Sequence, residues 1–480
     1  MTAAAFLGRE ALDFLVVRLS WPVPLVRWRA ARALRDLVDA PATRSEATGQ
    51  LLRCLAAARC ESEVCTILTV FLMARAVARP ALSVLATTLL HPSILASVLL
   101  RHLGGTGDLE WEQAHSGAAP DEFEPEAYFE EFRTAHVPPI LSTNLTRLER
   151  TSRQPFMRQW AFEWQRLQNA TGVPRTEYPY YFDSFSEVRS GIIGQYIQGQ
   201  GELYRSAYLR TLALAVDRWR LPAGLAETHA MYVVPAVPGL FEIDPVKRPA
   251  WLGDIPERCA ASTDDLGRFA RELIDVSRTL EMRPVSLDIP IDSAVAQYGA
   301  LEISAFLVTD EFTTEHVPQN RIELADFEAA FSIGGERPET PLPLYSDVGP
   351  GAAAPVCPSM LPQPYGYWQG HYFATGLPVP ASYVVPSSTH LRCTRGGLEL
   401  VKSNRIVAKT AFWHDRWSPD YPREGNTRCG VCAMLEPALL ETAMTLLGRR
   451  LVWKARIRLW RRENDYGDYN LVERIAVLRD

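Results

Sequence analysis

Pro24-Leu25-Val26-Arg27-Trp28-Arg29-Ala30-Ala31-Arg32-Ala33-Leu34-Arg35-Asp36-Leu37 is the stretch on which the fold turns. Proline suits the first turn of a helix, where its missing N–H has no helical partner to lose. Behind it Val26, Ala30, Leu34 and Leu37 return every three or four residues, which gives a helix one apolar face. Another short helix, Arg9–Leu19, precedes it across the turn Ser20-Trp21-Pro22-Val23-Pro24. A helix pair of this kind hides its apolar face only by stacking on another pair, so more pairs are expected downstream.

Two follow. Glu46–Ala58 and Glu63–Ala76 flank the turn Arg59-Cys60-Glu61-Ser62, and Ala81–Leu90 and Ile94–Leu103 flank His91-Pro92-Ser93. Val26, Val64 and Ile94 hold the same place just inside the second helix of each pair, spaced by 38 and then 30 residues. Recurrence at that period marks a helical array. The run Val26, Arg27, Ala30, Ala31, Ala33, Leu34 resembles the second helix of HEAT repeats. The resemblance covers residues 9–103; Cys65 stands where repeat two would carry the arginine, and repeat three is short. It implies an α-solenoid that binds protein, with Arg27 and Trp28 expected to meet the partner.

The remaining chain divides by period. Arg153–Gln168 sets Phe156, Trp160 and Trp164 at i, i+4 and i+8. Ser186–Ile197 and Glu202–Trp219 continue the helical pattern, and Thr263–Thr279 adds an amphipathic helix capped by Ser262 or Thr263. From about residue 283 the alternation becomes twofold, through Val285, Leu287, Ile289 and Ile291, then Leu301, Ile303, Ala305 and Leu307. Gly396-Gly397 and Ser403-Asn404 read as hairpin turns. Leu435–Leu447 is a helix stopped by Gly448, and Leu451–Arg461 pairs with Leu471–Leu478. The expected fold is mainly helical α+β: a HEAT-like array over 1–104, an acidic linker or cap over 105–135, a helical middle over 136–282, and an α+β domain of antiparallel hairpins over 283–480. Residues 336–364 are expected to form a flexible Pro/Gly-rich connector within it.

The 480 residues are 47% hydrophobic and 22% charged, with a net charge of −6. That balance excludes wholesale disorder and argues against a protein that coats nucleic acid non-specifically. Lys247, Lys402, Lys409 and Lys454 are the only lysines; arginine carries nearly all the positive charge, a mark of GC-rich bacterial coding. The 8 cysteines are sparse, which points to a reducing compartment. Met1-Thr2-Ala3-Ala4-Ala5-Phe6 lacks the form of a secretory signal, so a cytoplasmic protein is expected. The apolar runs Val64–Met73 and Val84–Leu100 are cut by Arg75 and Arg79, and by His91-Pro92. Neither supplies the roughly 20 apolar residues a bilayer requires, and no membrane partner is expected.

No phosphate-cradling loop, G-x-S-x-G or H-E-x-x-H occurs, so no motif assigns a catalytic residue or a cofactor. Residues with the right chemistry remain. His414-Asp415 could ligate a metal or relay a proton. Asp288 and Asp292, four apart on one strand, share a side, and Glu302 on the following strand could join them around a divalent ion. Pro290 between them argues against a regular central strand. Cys429-Gly430-Val431-Cys432 has zinc-knuckle spacing but needs a second pair, and His390 with Cys393 has the wrong spacing on a strand. Arg449, Arg450, Lys454, Arg456, Arg458, Arg461 and Arg462 carry positive charge with no acid between them. On a strand, Lys454, Arg456, Arg458 and Trp460 share one face and could grip phosphates and stack a base. Each pattern also has a plain structural account, as buried small residues, an exposed turn or a solvated sheet face.

Together these patterns lead to a non-catalytic scaffold or sensor that recognises a protein through the solenoid and through Trp160 and Trp164, tryptophan being enriched at interfaces. HEAT-like solenoids joined to unfamiliar α+β domains resemble components of bacterial anti-phage systems, which implies a partner encoded by a neighbouring gene. The alternatives are a nucleic-acid-binding protein using the arginine-rich strand and a metal-dependent hydrolase or nuclease using the acidic residues.

Overall fold

A computed structural model of the chain describes residues 9–20, 24–105, 110–175, 192–233, 243, 245–255, 257–292, 297–312, 353–362, 376–394, 396–414, 429–464 and 467–479. The fold is α+β, in two compact units that divide after Pro238, not near residue 282 as the periodicity predicts.

The first unit is helical. Its opening six helices fall where the sequence places three pairs: α1 (Arg9–Leu19) and α2 (Pro24–Asp39), α3 (Arg44–Ala56) and α4 (Glu61–Met73), and α5 (Leu82–Thr88) and α6 (Ile94–His102). They pack in two rows, α1–α3–α5 and α2–α4–α6. Ala30, Ala31, Leu34, Leu37 and Val38 of α2 are buried, the alanines allowing close helix approach. Then come α7 (Ala127–His136), α8 (Pro139–Ser152), α9 (Phe156–Thr171), α10 (Ile192–Trp219) and α11 (Ala223–Ala230).

Two expectations change here. The helices expected to end at Ile197 and restart at Glu202 belong to one helix, α10, of 28 residues. Gly201 is there for packing: a Cβ would stand 2.8 Å from the His136 carbonyl oxygen, so glycine permits a close approach and not a break. The acidic stretch before α7 acts as a cap. Trp111 and Phe129 are buried, and α9 fastens the intervening backbone. Glu163 accepts the Ser116 N–H and Gln159 accepts the Ala119 N–H, both at 2.8 Å. Arg158 donates to the carbonyls of Phe123 at 3.1 Å and Asp121 at 2.8 Å.

The second unit contains α12 (Thr263–Ser277), α13 (Pro437–Leu447) and eleven described strands: β1 (Arg283–Asp292), β2 (Gln297–Val308), β3 (Ala353–Pro355), β4 (Ser359–Pro362), β5 (Gly376–Val379), β6 (His390–Thr394), β7 (Gly397–Lys402), β8 (Arg405–His414), β9 (Cys429–Leu435), β10 (Arg450–Arg461) and β11 (Asn470–Arg479). The main sheet runs β11-β10-β2-β1-β9-β8-β7-β6, with β3 also on β2; β4 and β5 pair separately. Every pairing between named strands is antiparallel.

The amphipathic helix α12, expected in the helical middle, instead packs on this sheet: Leu266, Phe269, Ala270, Leu273 and Ile274 join one core with Leu287, Ile303, Ala455 and Ala476. Ser262 caps it by accepting the Asp265 N–H. The expected connector 336–364 is partly strand. Ala353 and Ala354 are small enough to be buried beside Phe306 to Val308, and Pro355 falls on a strand with one partner, which tolerates it. Pro290 is accommodated in β1 because β9 pairs only as far as Asp288. Ser403 and Asn404 take φ of 49° and 64°, the left-handed pair that a two-residue hairpin turn requires.

Candidate functional site

Alternation along β1, β2 and β10 sends Leu287, Ile303 and Ala455 into the helix-covered core and leaves the intervening residues on the opposite face. On that face Asp288 lies directly opposite Glu302, and Glu302 directly opposite Arg456. The acidic group and the arginine-rich strand, two separate candidates in the sequence, are thus one row across three neighbouring strands. Ser286, Ser304 and Lys454 form the next row. Arg458 approaches Glu302 at 3.7 Å, and Arg456 Nε donates to Glu473 on β11 at 2.6 Å.

These charges are buried: Asp288 at 0% exposure, Glu302 at 7% and Arg456 at 8%. A buried ion is tolerated when an opposite charge and hydrogen bonds replace its water. Asp288, Glu302 and Glu473 set against Lys454, Arg456 and Arg458 supply that balance. The arrangement therefore differs from the expected solvated basic face: a phosphate arriving there would compete with carboxylates already paired to the arginines. Arg461 is exposed at the end of β10, with Arg462 half-buried beyond it, its guanidinium 4.9 Å from the Tyr469 ring. Arg450 begins the strand, and Arg449 just before it donates to the Leu307 carbonyl.

Close packing continues on β9. At Gly430 a Cβ would lie 2.5 Å from the Trp413 ring and 2.6 Å from the Asp288 carbonyl oxygen, so a bare backbone is required between them. Cys429 and Cys432 are both buried on this extended strand. Three residues apart on a strand they point to opposite faces, so the pair is not a zinc knuckle on a turn. Burial also pushes the Cys432 thiol pKa up, which keeps it protonated. His414 pairs in register with Cys429 at the end of β8. The His414 and Asp292 side chains, and Asp415 altogether, lie outside the described residues. Among the described residues no three His, Cys, Asp or Glu side chains gather as metal ligands, and no helix is long and apolar enough to cross a membrane.

In the helical unit the sequence candidates for protein contact behave differently from expectation. Trp160 and Trp164 are fully buried. Trp160 Nε1 donates to the Tyr204 carbonyl at 2.8 Å, and both rings pack against Phe129 and Tyr204. Their helical spacing marks a core stripe. Arg27 is buried as well, and the Trp28 side chain lies outside the described residues.

A polar seam that sequence inspection missed joins α4 to α10. Ser206 accepts the Ser62 N–H at 3.0 Å, Ser62 Oγ donates to the Glu202 carbonyl at 3.0 Å, and Arg210 Nε donates to Glu61 at 2.6 Å. The available signal is small: Ser206 and Arg210 stand among Leu203, Tyr204, Ala207 and Tyr208 on a helix whose residues from Gln200 to Leu209 are all buried. α10 thereby covers the α4 and α6 row. The α1–α3–α5 row keeps apolar side chains in solvent at Phe14 and Val17, and Val77, Val84 and Leu90 lie exposed around α5, Val77 being 84% accessible.

No protein-family model matches this chain, and no curated protein is similar enough to count as a match.

Proposed function

We propose that the chain is a non-catalytic, protein-binding scaffold or sensor subunit of a bacterial cytoplasmic system, in keeping with anti-phage defence, and that α1–α6 form a HEAT-like solenoid whose partner is the product of a neighbouring gene. The observation that carries this reading is the contrast between the two helical rows. One row is covered by α10 of the same chain; on the other, α1 keeps Phe14 and Val17 and α5 keeps Val84 in solvent, with Val77 and Leu90 exposed on either side of α5. Apolar side chains left on the outer side of an array whose other side is covered by its own chain offer a surface to a protein partner. The contact is therefore assigned to the α1–α3–α5 row, and not to Trp160 and Trp164 in the core.

The test is recovery of a partner from the native host by the tagged full chain. Phe14→Asp and Val77→Asp should each lower recovery at least tenfold while leaving the melting temperature within about 2 °C, because surface changes seldom move stability far. Recovery indifferent to both substitutions would overturn the assignment, and so would turnover of a substrate by the purified chain alone.

A further inference from the structure

Among the described strands, β11 and β6 stand at the two ends of the main sheet. An edge strand is a template for another chain, and proteins usually blunt it by shortness, charged side chains, proline or a bulge. β6 is blunted by length, having 5 residues. β11 has 10 and no proline, and its register with β10 runs through ten consecutive pairs without a bulge. Its charges are Glu473, Arg474 and Arg479, and the Glu473 and Arg479 carbonyls accept from the Arg474 and Arg271 guanidiniums, contacts that a pairing strand would exchange for backbone N–H donors. It also leaves Leu471 52% and Ile475 37% exposed.

We propose that β11 pairs antiparallel with the β11 of a second copy of this chain, about a twofold axis at Ala476, joining two sheets into one. Self-complementarity selects this occupant. Ala476 and Leu478 lie beneath α12, next to Gly267, and alternation sets Leu471, Glu473, Ile475, Val477 and Arg479 on the other face. Centring on Ala476 brings Glu473 opposite the partner's Arg479 and Ile475 opposite the partner's Val477. Twofold symmetry makes each contact twice. Opposite charges directly across from each other stabilise adjacent strands, and Ile475 against Val477 removes apolar surface from water. Moving the axis to Ile475 sets Glu473 against valine, and moving it to Arg474 sets that arginine against itself. The charges favour one register. This pairing is independent of the partner proposed for the helical rows.

The experiment is light scattering on the full chain over a concentration series, with hydrogen exchange on β11. The mass should rise from 53.7 kDa toward twice that value, and β11 amides should gain protection as concentration rises. Arg479→Glu and Glu473→Arg should each weaken dimerisation at least tenfold. Mixing the two variants should restore it, since both cross-strand contacts are then Glu with Arg again. A chain that keeps the monomer mass through about 200 µM overturns the proposal. So does a dimer that neither variant weakens, or β11 protection that ignores concentration. Glu473 also holds Arg456; if Glu473→Arg melts early, Arg479→Glu and the exchange data decide the matter alone.

Discussion

At Glu163 a carboxylate is placed where water cannot reach it, on α9 beneath the backbone it fastens. Burial raises its pKa above the ordinary carboxylate value, and the Ser116 N–H opposes that rise without cancelling it. Folding thus favours the protonated acid. Its contribution to stability is complete below the unfolded carboxylate pKa and is lost as pH climbs through the raised folded value. Glu163→Gln keeps an acceptor for Ser116 and has nothing to ionise, so relative to the parent chain it should gain melting temperature between pH 4 and pH 7. Thermal melts of the pair across that range check this; a difference that stays constant or runs the other way refutes the assignment. Gly430 is the opposite kind of residue, defined by what it lacks. Gly430→Ala would force a Cβ into the Trp413 ring and the Asp288 carbonyl, and overpacking of this kind costs about 1–3 kcal/mol. Urea denaturation should show a lowered midpoint and an unfolding free energy smaller by that amount.

At the scale of elements, α4 lacks its own cap. Cys60 occupies the cap position without a side-chain hydrogen bond, and Ser206 of α10 takes the Ser62 N–H instead. Ser206→Ala would bury that N–H without an acceptor, a loss of about 1–3 kcal/mol that urea denaturation would register, while Ser206→Thr should retain most of it. The helix pairs were legible because their signals are local: Pro24 at a first turn, alanines at helical spacing, and prolines or serines at the turns. The same holds for Ser262 before α12 and for Ser403-Asn404. α10 was not legible as one helix, because Gly201 is explained by a carbonyl 65 residues away in the chain at His136. The affiliation of α12 with the sheet likewise depended on Ala476 and Leu478, far along the chain. The buried charge row was half legible. Asp288, Glu302 and Arg456 could each be singled out, yet only the strand order β10-β2-β1 brings them side by side. Read alone, the arginines suggested a phosphate grip; read in register, they answer the carboxylates.

For the whole molecule, charge decides between the protein-binding and nucleic-acid readings. The net charge of −6 repels a polyanion at long range. Close in, attraction would have to come from β10, where Arg456 and Arg458 are engaged with Glu473 and Glu302. Freeing them for phosphate would leave Glu302 buried and Glu473 half-buried without their partners, a cost that phosphate contacts at the strand's end do not offset. Counterion release adds affinity in proportion to the phosphates neutralised, and among the described residues of β10 Arg461 is the arginine exposed to solvent. A labelled single-stranded oligonucleotide titrated with the full chain at physiological salt should therefore bind no more tightly than about 100 µM, the weak end of non-specific association. Fluorescence anisotropy measures this directly. Arg461→Ala with Arg462→Ala should weaken whatever binding appears at low salt, whereas micromolar binding that survives this double change, falls steeply with salt and is lost in Arg456→Ala would mean that the β10 arginines leave their carboxylates for phosphate.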